Sequence, residues 1–248
     1  MTLLHSLLTR KLQCDYGEMM QSPPRQKLAI YDMDKTITRR ATFGPFIRHV
    51  ITRYKPGRAA MLPAMAAVTA GYGLNLINRA RLKEINLGLL LGREIDASEA
   101  AAMAESFAME TRRTNFLSEA LRQIAADRAA GYRIVLATAS YRFYVDAIAQ
   151  LLAIEDVIAT RCLPSGEGAF LPQIAGQNCY AEAKLMMVKD WLRTAGLARQ
   201  DSHIRFYSDH VSDAPCLAFA DEAFATNPHA PLRELVAKRG WAVLDWPE

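Results

Sequence analysis

Two carboxylates one residue apart, Asp32 and Asp34, follow the short run Lys27-Leu28-Ala29-Ile30. That run reads as a buried strand. Acids are rarely set against a core without a cation, a metal or a proton to offset their charge. Other polar groups stand in comparable places. Thr138-Ala139-Ser140 comes after Ile134-Val135-Leu136-Ala137, Lys184 stands near the start of a helical stretch, and Asp209 and Asp213 come after Ile204-Arg205-Phe206-Tyr207. In an open α/β sheet the carboxyl ends of the strands are where ligands bind. Two acid pairs, a hydroxyl and an ammonium gathered there could hold a hard divalent cation and a phosphate. Taken singly, each has an ordinary alternative: a helix-capping Asp or Thr, or a solvated lysine. Their order along one chain argues for a shared site.

That order resembles the haloacid dehalogenase (HAD) superfamily of phosphatases, from Lys27 to Trp246. The subgroup it is most similar to includes the phosphoserine phosphatases and phosphatidylglycerophosphatase C, with a helical cap inserted just after the first motif. The resemblance implies Mg²⁺-dependent hydrolysis of a phosphate monoester. It makes Asp32 the nucleophile, forming an aspartyl-phosphate, and Asp34 the general acid and then base. It makes Asp32, Asp209 and the main-chain carbonyl of Asp34 ligands of Mg²⁺, with Asp213 ligating the ion or holding its water. Thr138, with main-chain N–H groups at Ala139 and Ser140, would bind phosphoryl oxygens. Lys184, preferred over Lys189 by family spacing, would neutralise transition-state charge.

Lys35 departs from the family's frequent glycine, which leaves the loop conformation open there. Phosphoserine phosphatases hold the amino group of serine with a glutamate at the position of Ala41 here, which argues against serine phosphate. Arg39 and Arg40 would suit an additional anionic group. Phe43-Gly44-Pro45-Phe46-Ile47-Arg48 and the basic-then-apolar sequence after it resemble the cap of phosphatidylglycerophosphatase C, which implies a lipid phosphate or another anionic small-molecule phosphate as the substrate. The alternatives are a phosphoserine phosphatase, a phosphotransferase, or a binding protein that kept the fold. The intact acids and lysine argue against the last.

The surrounding pattern suits this role. From Phe43 to about Arg113 no convincing strand appears. Phe46, Ile47, Val50 and Ile51 sit at helical spacing, and residues 77–91 and 97–112 read as helices. Beyond them strands and helices alternate. Helices are expected over 116–130, 141–152, 181–195, 214–220 and 232–238, and strands over 133–137, 157–160, 204–207, 223–226 and 242–244. Residues 161–177, with three glycines and two prolines, read as a hairpin or irregular excursion. The expected fold is α/β: a Rossmann-like parallel sheet flanked by helices, with an inserted all-helical cap. Residues 27–40 and 114–248 would form the core, 41–113 the cap, and 1–26 an N-terminal extension. In that extension Leu3, Leu4, Leu7, Leu8 and Leu12 could share a face of a short helix before Ser22-Pro23-Pro24 breaks the period.

Composition excludes several classes. A net charge of +4 is too small and scattered for a nucleic-acid surface, though it suits an anionic substrate or membrane. Cys14, Cys162, Cys179 and Cys216 are widely spaced, which argues against a zinc site or disulfide framework and for reduced thiols in the cytoplasm. Arg10 and Lys11 follow the apolar N-terminal patch, so no signal peptide is expected. The stretch 59–78 carries no charge and has basic rims, but Pro63, Gly71, Gly73 and Asn75 interrupt it. It reads as a soluble hairpin, or as a cap touching the inner membrane surface, rather than a span. Nothing in the sequence sets the oligomeric state.

Overall fold

The computed structural model describes residues 25–247. The short N-terminal helix expected near residues 3–12 lies outside the described residues. Six strands form a parallel sheet: β1 (Gln26–Tyr31), β3 (Arg133–Tyr141), β4 (Asp156–Thr160), β7 (Ser202–Ser208), β8 (Glu222–Thr226) and β9 (Ala242–Leu244). Their order is β4-β3-β1-β7-β8-β9. The chain builds outward from β1 to β4, then returns to β1's other side. The strand order therefore reverses beside β1, where a crevice opens at the carboxyl ends. Tyr31, the last residue of β1, is in register with Leu136 on one side and Tyr207 on the other.

Both faces of the sheet are covered, which is why its strands read as unbroken apolar runs. Leu28 and Ile30 face one way, with Val135, Ala137, Ile204 and Phe206. Against them pack α7 (Glu182–Thr194), α8 (Ala214–Phe219) and α9 (Ala230–Arg239). Ala29 and Tyr31 face the other side, toward α5 (Ser118–Ala129) and α6 (Arg142–Leu151).

The segment between β1 and α5 holds α1 (Phe43–Arg53), a 3₁₀ turn (Pro56–Met61), α2 (Leu62–Gly73), α3 (Arg79–Leu91) and α4 (Ala97–Thr114). Phe46 of α1 stacks on Tyr144 of α6 with ring centres 4.8 Å apart, and Phe107 of α4 meets Tyr144 edge-on at 5.8 Å. The insertion thus shares its buried cluster with one face of the sheet. It departs from an all-helical segment at one place. The two-residue strand β2 (Ile95–Asp96) pairs antiparallel with β6 (Ala169–Ile174), itself the hairpin partner of β5 (Cys162–Ser165). Two residues are too few to show a strand's alternation.

Two further elements differ from expectation. Thr138-Ala139-Ser140 does not follow β3 but forms its irregular end, where the pairing to β4 shifts register before Tyr141. Helix α3 begins at Arg79 rather than 77, because the Asn78 side chain accepts the N–H of Arg81 at 2.9 Å and caps it there. The two linkers joining insertion to sheet bond to each other. Arg39 N–H donates to Asn115 O at 2.7 Å, Leu117 N–H to Ile37 O at 3.0 Å, and Thr38 bridges Phe116.

Candidate active site

Asp32 leaves the end of β1, and its N–H still donates to Tyr207 O at 2.9 Å. The chain then turns tightly. The N–H groups of Ile37 and Thr38 and the Thr38 hydroxyl all converge on Met33 O, at 2.9, 3.0 and 3.1 Å. This turn puts Lys35 in the left-handed region, φ 63°. A side chain there costs about 1–2 kcal/mol. The loop conformation that the sequence left open is therefore one that favours glycine, and this chain sets a lysine in it.

Lys184 is the third residue of α7 and only 2% exposed. Its Nζ lies 2.8 Å from Asp32 Oδ1 and 2.6 Å from Asp213 Oδ2, joining the first acid pair to the last. Lys189 is exposed and sits 5.4 Å from the Phe219 ring centre instead. Asp213 Oδ2 also accepts from the Ser208 hydroxyl at 2.7 Å, while its Oδ1 is buried without a partner. Although Asp213 precedes α8, its side chain caps nothing. Asp209 is buried beside it, with its N–H donating to the buried Thr36 hydroxyl at 3.1 Å.

Burial works against every charge here. It pushes the Asp32 carboxyl up, against the pull of Lys184, with Asp213, Asp209 and Asp34 adding to the rise. It pushes Asp209 up to about 6, against Lys35. Burial also disfavours the Lys184 ammonium, but Asp213 and Asp32 outweigh it and hold Lys184 well above the usual lysine range. One ammonium among crowded acids leaves a negative excess.

Asp34 is held at both oxygens. Oδ1 accepts the N–H of Thr42 at 2.8 Å and Oδ2 accepts the Ser140 hydroxyl at 2.9 Å. Ser140 therefore orients the second acid through its side chain, and its N–H donates to Thr138 Oγ1 at 3.1 Å. A hollow of about 250 Å³ opens over the cluster. Asp32, Asp34, Asp209, Asp213, Lys184 and Ala139 line it, while Thr138 lies just behind, 1% exposed.

Arg39 and Arg40 are not in this hollow. They line a second one with Arg48 and Glu110 at the linkers, and Arg39 Nε donates to Phe116 O at 3.2 Å. The pairing of the two linkers carries both side chains away from the crevice, so the structure does not support the substrate contact expected of them. The insertion contributes Arg79 instead, its guanidinium 4.4 Å over the Tyr180 ring at the hollow's wall. In the sequence Arg79 is one of the basic residues that rim the uncharged stretch 59–78, and Tyr180 belongs to no motif. No local pattern joins two residues a hundred positions apart. Ala41 also lines the hollow, as does His210, which is held by the Ser212 N–H on Nδ1 at 3.1 Å and stacked on His229 at 4.2 Å.

The donor set fits a hard divalent ion. It is made of oxygens, and Asp213 Oδ1 is a buried acceptor with nothing to accept. Among the described residues, no three acid, imidazole or thiol groups converge closely enough to hold an ion unaided. Carbonyl, water or substrate oxygens would have to complete the shell, which is how Mg²⁺ is usually bound.

Residues 29–218 match the family model of the haloacid dehalogenase-like hydrolases, and the chain belongs to that family. It is 25% identical over 229 residues to a probable phosphatase of Mycobacterium tuberculosis, covering 91% of this chain and 77% of that protein. A crystal structure of a protein of unknown function from Bordetella pertussis Tohama I superposes with a TM-score of 0.78 at 28% identity, covering 89% of this chain and 99% of that one. A substrate-bound phosphoserine phosphatase superposes with a TM-score of 0.60 at 14% identity, over 90% of this chain and 94% of that one, a likeness of fold alone.

Proposed function

We propose that this chain is a Mg²⁺-dependent phosphomonoester phosphatase working through an aspartyl-phosphate on Asp32. The observation that carries the reading is the buried bridge from Lys184 to Asp32 and Asp213 beneath an open hollow. A structural ion pair has no need of an extra acid with an unpartnered oxygen. A phosphate site has a use for both.

In this reading an oxygen of Asp32 attacks phosphorus as the ester P–O bond breaks, and the leaving oxygen takes a proton from Asp34. Water then attacks the acyl phosphate and gives its proton to Asp34, releasing inorganic phosphate and restoring Asp32. Thr42 and Ser140 keep the Asp34 carboxyl aimed through both steps. Lys184 offsets charge on the phosphoryl oxygens. HAD phosphatases generally depend on a metal. Here Asp32, Asp209 and the Asp34 carbonyl would hold Mg²⁺, with Asp213 in reach of its water, and the ion would supply neutralisation of phosphoryl charge.

The substrate is proposed to be a lipid or other small-molecule phosphate with a second anionic group. Ala41 offers nothing to an ammonium, while Arg79 and Lys35 bring cations to the hollow's wall. The insertion would act as a cap over residues 41–113, excluding water and selecting the leaving group. Helix α2 and the turn after it favour a lipid. Helix α2 has no charge and only Met65 buried, and Leu74 and Leu76 are 71% and 76% exposed close to Arg79. In the sequence Arg53, Lys55 and Arg58 precede that stretch and Arg81 follows it, a basic-rimmed apolar pattern like that of segments that lie on anionic membranes. No helix among the described residues is long and apolar enough to cross one. The proposed location is cytoplasmic, peripheral at the inner membrane surface. The test is phosphate release from lipid phosphates, sugar phosphates, nucleotides and phosphoamino acids, by wild type and Asp32→Asn, with Mg²⁺ or chelator. Phosphoserine ranking first would overturn the substrate assignment.

A further inference from the structure

Lys83 of α3 lies in the seam between insertion and sheet with no carboxylate partner among the described residues. Its Nζ donates to Ala139 O, and to Asn178 Oδ1 at 2.7 Å, and it sits 4.4 Å from the Tyr141 ring centre. The three N–H bonds of an ammonium thus meet three neutral acceptors. Burial draws its pKa down to about 7, helped by Arg79 and resisted by Cys179, Asp34 and Cys162. An ammonium set there without a counter-charge is costly, and no stabilising ion pair explains it.

The Ala139–Ser140 peptide joins this ammonium to the site. Its carbonyl takes Lys83, and its N–H donates to Thr138 Oγ1 at 3.1 Å. A backbone N–H can only donate, so Thr138 Oγ1 accepts there and keeps its own proton for another acceptor. A cation on the carbonyl polarises the amide and strengthens its N–H bond. A hydroxyl that accepts a stronger bond becomes a stronger donor in turn.

We propose that Lys83 is a positioning residue that carries positive charge from the insertion, through this peptide, to the hydroxyl of Thr138. The inference rests on the phosphatase reading, in which that hydroxyl holds a phosphoryl oxygen. Lys83 belongs to the insertion and Ala139 to the sheet. The charge therefore arrives only when the two are docked, and closing over the substrate strengthens the donor that holds it.

The test is a double-mutant cycle of Lys83→Met and Thr138→Val, read as kcat and KM for p-nitrophenyl phosphate at saturating Mg²⁺ and pH 6, where Lys83 carries its proton. Lys83→Met is expected to fold, because Ala139 O keeps the Thr160 hydroxyl at 2.8 Å. Its kcat should fall about tenfold with KM within about twofold, and Thr138→Val should lose about a hundredfold. The double variant should be no slower than Thr138→Val, since the relay ends at the missing hydroxyl. Asn178→Ala, which loosens the ammonium without removing it, gives the same comparison should Lys83→Met not fold. Losses that multiply, or an unchanged kcat in both variants, would overturn the inference while leaving the phosphatase reading intact. No phosphate release by the wild type from any monoester would remove both.

Discussion

Lys35→Gly tests whether the turn after the nucleophile is strained, and what the lysine does there. The substitution removes a left-handed side chain, φ 63°, which relieves about 1–2 kcal/mol. It also loosens the unfolded chain, which costs about 0.4–1 kcal/mol. The net gain is about 0.5–1 kcal/mol, or about 1–4 °C in melting temperature for a chain of this size. The lost charge is exposed and screened, so its own share is small. Its effect on Asp209 is not negligible, because Lys35 is the foremost charge holding that carboxyl down against burial.

The sign of that effect sets the conditions. Asp209 is raised to about 6 in the folded protein. A raised carboxyl contributes stability that is full below its unfolded pKa of about 3.9 and is lost as pH rises through the folded value. Without Lys35 the folded value moves higher, and more is lost by pH 8. In chelator, the gain from Lys35→Gly should therefore be full near pH 5 and smaller near pH 8. Ala153→Gly supplies the comparison. Ala153, φ 50°, ends α6 with its N–H on Gln150 O at 3.0 Å and that of Ile154 on Ala149 O at 2.9 Å. Gly131 and Gly196 take the same place after α5 and α7. Ala153→Gly should gain about 1 kcal/mol at either pH. If Ala153→Gly melts higher at pH 5 while Lys35→Gly melts at or below the wild type, the strain argument at residue 35 is refuted.

Mg²⁺ affinity, measured by calorimetry, should climb from pH 5 to pH 8 with proton release, because Asp32 and Asp209 are both raised and must ionise to bind; a flat profile would mean that neither carboxyl is raised. Arg79→Met should raise KM about tenfold or more for a monoester bearing a second anionic group and far less for p-nitrophenyl phosphate, and equal changes for both would remove Arg79 from substrate recognition. Leu74→Ser with Leu76→Ser should abolish flotation with anionic vesicles and spare turnover of a soluble substrate; unchanged flotation would exclude that surface.

The fold was legible because its elements are long and their periods distinct. The apolar runs ending at Ile30, Ala137 and Tyr207 each became a central strand, and the helices expected to end at 130 and 195 end at Ala129 and Thr194, just before left-handed Gly131 and Gly196. What stayed hidden was contact across distance. Nothing local shows that Ile95 and Asp96 pair with a hairpin beyond residue 160, that paired linkers turn Arg39 and Arg40 outward, or that Arg79 meets Tyr180. The acids, Thr138 and Lys184 were legible because they stand at strand ends or a helix start in the order of the haloacid dehalogenase motifs, Lys184 over Lys189 by family spacing, and the fold gathers the acids and Lys184 around one hollow. Lys83 has no such place in a motif, and Ser140, though it stands at such a strand end, was expected to act through its main-chain N–H and not through its hydroxyl. Their roles come from one peptide plane and one side-chain bond that only the folded chain sets.

Charge in the hollow explains why the bridge at Lys184 is not sufficient by itself. Four acids line the space against three permanent cations, Lys35, Arg79 and Lys184. With every group ionised the hollow is net negative, and a phosphate dianion would be repelled. Lys184 is also already committed to Asp32 and Asp213 at hydrogen-bond distance. Under the phosphatase reading, a divalent ion among the oxygens of Asp32 and Asp209 would reverse the balance, turning one net negative charge into one net positive. On this reasoning, substrate binding and metal occupancy are one coupled equilibrium, because the dianion meets a net positive hollow only once the ion is held.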